Sequence, residues 1–126
     1  MERITQLKQT ETVRLDSDQL EQLYLQLGEA GAEDVVCRAL EELASRLSLT
    51  ERCYREGRPQ DMRKSARSLI AIAEQIGMAA LARVARDVTV CIDQHDRVAL
   101  AATLSRLVRI GEHSLQEIWE LQDYSV

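Results

Sequence analysis

Met62, Ala66, Leu69, Ala73 and Ile76 follow one another in alternating steps of four and three. That spacing lines one face of an α-helix and matches no face of a β-strand. An unbroken apolar seam of this kind must be covered by another seam. The chain offers several. Leu20, Leu23, Tyr24 and Leu27 share a face. Val36, Ala39 or Leu40, Leu43, Leu47, Thr50 and Tyr54 form a second stripe. Leu81, Val84, Ala85, Val88, Cys91 and Ile92 form another, and Leu100, Leu104, Leu107, Gly111, Leu115 and Ile118 the last. One proline and five glycines are too few for the turns of an all-β fold. The expected fold is all-α: an up-and-down antiparallel four-helix bundle, with a short N-terminal helix capping one end.

The boundaries follow from local chemistry. Asp16 or Ser17 can cap the free N–H groups of the leading helix, and Gly28 and Gly31 end it. Glu33 and Asp34 suit the positive end of the next helix dipole, which is expected to run to about Glu56. Gly57-Arg58-Pro59 is the clearest break, with Pro59 in the first turn of the next helix. Gly77 stops that helix as a left-handed cap. Asp93-Gln94-His95-Asp96 makes the next turn, and the final helix frays near Tyr124. Residues 1–15 read as a tail or short leading helix, and 16–126 as a single bundle domain without repeats or linkers.

Composition excludes several classes. Hydrophobic residues make up 45% of 126, enough for a core. The apolar set is aliphatic, with no Phe and only Trp119, Tyr24, Tyr54 and Tyr124 as large rings. A net charge of −5 with scattered arginines speaks against nucleic acid. No apolar run reaches the ~20 residues of a membrane span, and the charged start lacks the apolar stretch of a signal peptide. A cytoplasmic location and no membrane partner are expected. Cys37, Cys53 and Cys91 are odd in number and widely spaced, so reduced thiols are expected, with no metal and no cofactor.

The stretch Arg67-Ser68-Leu69-Ile70-Ala71-Ile72-Ala73-Glu74-Gln75-Ile76-Gly77 resembles the signature of the histidine phosphotransfer (HPt) domain family. That signature is roughly His-x-Leu-Lys-Gly, followed by a hydrophobic residue and Gly at the helix end. Leu69, Ile76 and Gly77 fall on its Leu, hydrophobic and Gly positions. The turn at Gly57 to Asp61, Leu81, the turn at Asp93 to Asp96 and the long final helix are similar to the family's layout. The resemblance covers about residues 16 to 122. It implies a bundle that meets a response-regulator receiver or a histidine kinase domain in two-component signalling.

The departures decide the chemistry. Arg67 stands at the histidine position, Ile70 at the lysine position and Ala71 at the glycine position. Phosphoryl transfer needs a nucleophilic nitrogen with a free lone pair. A guanidinium is always protonated and only donates. The resemblance therefore implies a non-phosphorylatable relative that binds a partner without carrying phosphate. On a helical wheel, Arg67 points roughly 140° away from the buried seam, with Lys64 and Ala71 on the same outer face. Arg63, Ile70 and Glu74 flank it. These six residues are the candidate partner-binding face. Arg58, Arg63, Lys64 and Arg67 make a positive cluster that would complement an acidic receiver pocket. Outward cations are also what any solvated helix face carries.

Two other histidines are weighed. Glu112-His113-Ser114-Leu115-Gln116 imitates His-x-Leu-Lys, but no helix follows it. His95 sits in a turn and lacks rigid support. No Gly-rich phosphate loop, Gly-x-Ser-x-Gly or His-Glu-x-x-His occurs, so no enzymatic activity is expected. Trp119 is expected to anchor the leading helix. The first alternative is a helical-bundle interaction or oligomerisation protein unrelated to phosphorelay, favoured if the broadest apolar surface lies away from Arg67. The second is an active phosphotransfer protein using His113 or His95. Self-association is left open.

Overall fold

The computed structural model describes the backbone of residues 17–124, and side chains from 21 to 117. The described residues form four helices: α1 (Ser17–Arg55), α2 (Pro59–Gln75), α3 (Ala79–Asp93) and α4 (Arg97–Tyr124). The expected leading and second helices are one run, broken at Gly28, which adopts φ 76°, ψ 171°. Gly31 lies within the helical run that follows. The expectations for Asp16 and residues 1–15 fall outside the described residues.

The three connections use one device. In each, a residue with positive φ follows the helix end, and two backbone N–H groups reach back to close a Schellman motif. After α1, Gly57 (φ 68°) donates to the Tyr54 carbonyl at 3.2 Å and Arg58 to Cys53 at 2.9 Å. After α2, Gly77 (φ 78°) donates to Glu74 at 3.3 Å and Met78 to Ala73 at 2.8 Å. After α3, His95 (φ 56°) donates to Ile92 at 3.1 Å and Asp96 to Cys91 at 3.1 Å. Asp96 then caps α4, its Oδ1 accepting the Ala99 N–H at 3.0 Å. Connections this short leave consecutive helices antiparallel.

Each helix packs on the next, and α4 returns to α1. The result is a closed four-helix bundle. Its centre is aliphatic, with Leu40, Leu43, Leu69, Leu81, Val84, Val88 and Leu107 fully buried. Each such side chain contributes about 1.5–3 kcal/mol. The seam of Met62, Ala66, Leu69, Ala73 and Ile76 is entirely inside. Ile110 and Met78 join it without having been expected. Where α1 and α2 cross, two hydroxyls enter the core. Thr50 Oγ1 lies 2.8 Å from Ser65 Oγ and 2.7 Å from the Arg46 carbonyl, and Ser65 Oγ lies 3.0 Å from that carbonyl. Hydroxyls donating along that triangle leave neither one unsatisfied.

The stripes differ from expectation at both ends of α1. Tyr54 is 40% exposed, and Cys53 takes the buried place beside it. At the last turn of α1 the inward direction falls one residue earlier, toward the Arg58 turn, so the smaller thiol fills it. In the leading segment, Tyr24, Leu25 and Leu27 are 41%, 79% and 48% exposed, and Leu23 is half-buried. The helix forms, but most of its apolar face is uncovered. The Thr50–Ser65 contact explains this. Each step along α2 is matched by one step back along antiparallel α1, so the end of α2 at Gln75 falls near Leu40. Everything in α1 before that point runs past α2. The side chains of Leu20, Ile118 and Trp119 lie outside those described.

Candidate docking face on the second helix

The amphipathic seam of α2 fixes its outer face. Because Ala66, Leu69 and Ala73 point inward, Arg67, Ala71 and Glu74 are exposed, with Lys64 beside them. Arg63 is half-buried, and Ile70 is half-buried against the core. The structure thus places all six candidate residues along one side of α2.

Their electrostatics are not uniform. Arg63 makes a bidentate pair with Asp93 at the end of α3, Nε to Oδ1 at 2.8 Å and Nη2 to Oδ2 at 3.0 Å. Eleven residues further along α2, Glu74 pairs with Arg86 of α3. Arg58 is held by Glu56 at 2.7 Å and Asp61 at 3.1 Å. The expected four-cation cluster is therefore half neutralised: Arg58 and Arg63 are spoken for within the fold. Among the described residues, Lys64 and Arg67 have no ion-pair partner.

The two pairs clamp α2 to α3 on either side of Arg67. They leave Arg67 as an exposed cation one turn before Ala71, whose small side chain leaves the backbone approachable. Hydrogen bonds from Arg63 hold the Asp93 carboxyl below the usual carboxylate range. Partial burial opposes this, and the charges of Arg63, His95 and Arg67 add to the lowering. Arg67 is close enough to act on Asp93 without bonding to it. Ile70 packs as a core-edge residue and offers only part of its side chain outward.

The other histidines are placed plainly. His113 is exposed on α4. His95 is exposed in the α3–α4 turn, in the left-handed region that favours glycine. It borders a cleft of about 450 Å³ where the α1–α2 and α3–α4 turns meet, with Met62, Ile92 and Leu100 on its apolar side and Arg58, Asp96 and Arg97 on its polar rim. Cys53 and Cys91 reach this cleft and are free thiols. Arg58 Nη2 lies 3.7 Å from Cys53 Sγ, and Cys91 Sγ lies 3.7 Å from Thr103 Oγ1. Cys37 is a half-buried free thiol. Among the described residues no group of histidine, cysteine and carboxylate side chains is arranged to hold a metal ion. No described helix is long and apolar enough to cross a membrane.

Sequence reasoning missed the Arg63–Asp93 and Glu74–Arg86 pairs. Their partners are 30 and 12 residues apart, and only the packing of α2 on α3 brings them together. Comparison with protein-family models, curated proteins and solved structures finds no match to this chain.

Proposed function

We propose that the bundle is a non-catalytic docking protein, similar in role to a histidine phosphotransfer domain that has lost its phosphoacceptor. Its α2 face meets an acidic receiver or kinase domain and modulates two-component signalling without taking phosphate. The observation that carries this reading is Arg67. It is exposed at the middle of α2, unpaired among the described residues, and framed by two ion pairs that fix α2 on α3.

A guanidinium there presents its donors in a fixed fork that suits carboxylates and phosphoryl oxygens. Its support is a rigid helix rather than a loop. Lys64 adds a second charge, and Ala71 leaves room for a partner's backbone. Because the guanidinium lacks a lone pair, a phosphorylated receiver would be held without phosphate passing to Arg67.

Titrating the purified chain with receiver domains from its own source organism tests this reading. Arg67→Glu should weaken binding by about tenfold or more, since one central charge pair is commonly worth more than 1.4 kcal/mol. Ile70→Asp should weaken it less. Binding indifferent to Arg67→Glu would contradict the assignment.

A further inference from the structure

A second surface stands apart from α2, does not depend on that reading, and is the kind of apolar surface away from Arg67 that favours an interaction bundle unrelated to phosphorelay. Between Arg14 and Arg38 the sequence contains six carboxylates, Asp16, Asp18, Glu21, Glu29, Glu33 and Asp34, and no lysine, arginine or histidine. The remaining residues hold fifteen acids against sixteen bases, so the net charge of −5 belongs to this stretch. Asp34 is paired with Arg38 at 3.3 Å. Glu21, Glu29 and Glu33 have no ion-pair partner among the described residues.

The same stretch holds three of the large hydrophobics left exposed, Tyr24, Leu25 and Leu27. Tyr24 and Leu27 are one turn apart and share a face with half-buried Leu23. Leu25 extends the apolar surface around the helix. Among the described residues the others, Tyr54, Val90 and Val98, are scattered over three helices. The phenol of Tyr24 is raised above its ordinary value by partial burial and then by the charges of Glu33 and Glu29. Glu21 stands one turn before Tyr24 on the same helix, and Glu29 and Glu33 follow beyond the break at Gly28, so the charged neighbours of the apolar face are all acids.

We propose that the helical face carrying Leu23, Tyr24 and Leu27, flanked by Glu21, Glu29 and Glu33, is a docking face for a basic amphipathic helix of a partner protein. Its apolar stripe is too small to hold a partner by itself. Its rim is uniformly negative, so lysines and arginines flanking a leucine stripe complement it on both counts. A second copy of the segment would bring like charges together and is disfavoured. An anionic membrane surface is disfavoured for the same reason.

The test uses the full ¹⁵N-labelled chain and a synthetic leucine–lysine amphipathic peptide of about four helical turns. The control peptide has the same charge, with serine at each leucine position. Expected are amide shifts confined to residues 21–35 and affinity at least about tenfold above the control peptide, falling with salt. Tyr24→Ser with Leu27→Ser should abolish that advantage. Glu29→Gln with Glu33→Gln should weaken binding and flatten its salt dependence. All four positions lie at or near the surface, and an unchanged circular dichroism melt confirms the fold. Arg67→Glu should leave peptide binding unchanged, which separates this surface from the α2 face. Equal binding of the serine peptide, shifts centred on α2, or a dimer dissolved by Tyr24→Ser with Leu27→Ser would each overturn the proposal.

Discussion

The Arg63 guanidinium of α2 grips the Asp93 carboxylate at the end of α3 through two bonds of 2.8 and 3.0 Å. It joins the two helices at the surface beside Met62 and Ile92, which are buried in the core. Those bonds lower the pKa of Asp93. A carboxylate whose folded pKa is depressed adds stability above its unfolded value, and loses that contribution as pH falls through the folded one. Wild type should therefore melt above Asp93→Asn at neutral pH. The gap should close as the pH drops below the ordinary carboxylate range, and shrink with salt. Thermal melts of both proteins across that range check it; a gap that widens in acid would contradict the assignment.

His95 occupies the position that Gly57 and Gly77 fill in the other two turns. A side chain in the left-handed region costs about 1–2 kcal/mol. His95→Gly should stabilise the protein by about 1 kcal/mol. Gly57→Ala should destabilise it by a similar amount for a purely conformational reason, since an added Cβ there meets nothing within 4 Å. Urea denaturation measures both. Opposite signs for the two substitutions are the outcome to look for.

Gly111 of α4 lies directly against Leu47 of α1. A Cβ there would sit 2.5 Å from Leu47 Cδ2, so the buried Leu47 side chain would have to shift within the core to admit it. Alanine gains about 1 kcal/mol of helix propensity, while overpacking costs about 1–3 kcal/mol. Gly111→Ala should therefore be destabilising overall, by about 1 kcal/mol. In a Leu47→Ala background the clash is gone and the same change should become stabilising. That reversal, measured as a double-mutant cycle, is specific to the contact.

The hydroxyls of Thr50 and Ser65 share the Arg46 carbonyl as a common acceptor. Removing either leaves the other bonded to that carbonyl. Thr50→Val and Ser65→Ala should each cost no more than about 1.5 kcal/mol. A loss above about 3 kcal/mol for either would mean that a polar group has been stranded. Equilibrium unfolding in urea distinguishes the two.

Much of the bundle was legible because one physical rule governs it. The seam from Met62 to Ile76 repeats at helical spacing, and Gly57, Pro59 and Gly77 are residues whose backbone preferences end or start helices. The same rule says which residues share a face, but not whether a neighbour covers that face. Leu23, Tyr24 and Leu27 therefore gave a helix correctly and a covered helix incorrectly, because α2 stops near Leu40. Tyr54 and Cys53 exchanged places for a related reason: at a helix end, the turn sets the inward direction. Ser65 was hidden because a buried serine looks like a surface one until Thr50 is known to face it. On the candidate face, the position of Arg67 was readable from the wheel. Its isolation was not, since that depends on which neighbouring charges α3 captures.

The most direct test of the central claim incubates the chain with phosphorylated receiver domains from its own source organism, reading binding and phosphate transfer in the same samples. The account predicts amide shifts centred on Lys64, Arg67 and Ala71, with no acid-labile phosphate on the chain. Phosphate appearing on His113 or His95, or shifts that leave α2 untouched, would contradict it.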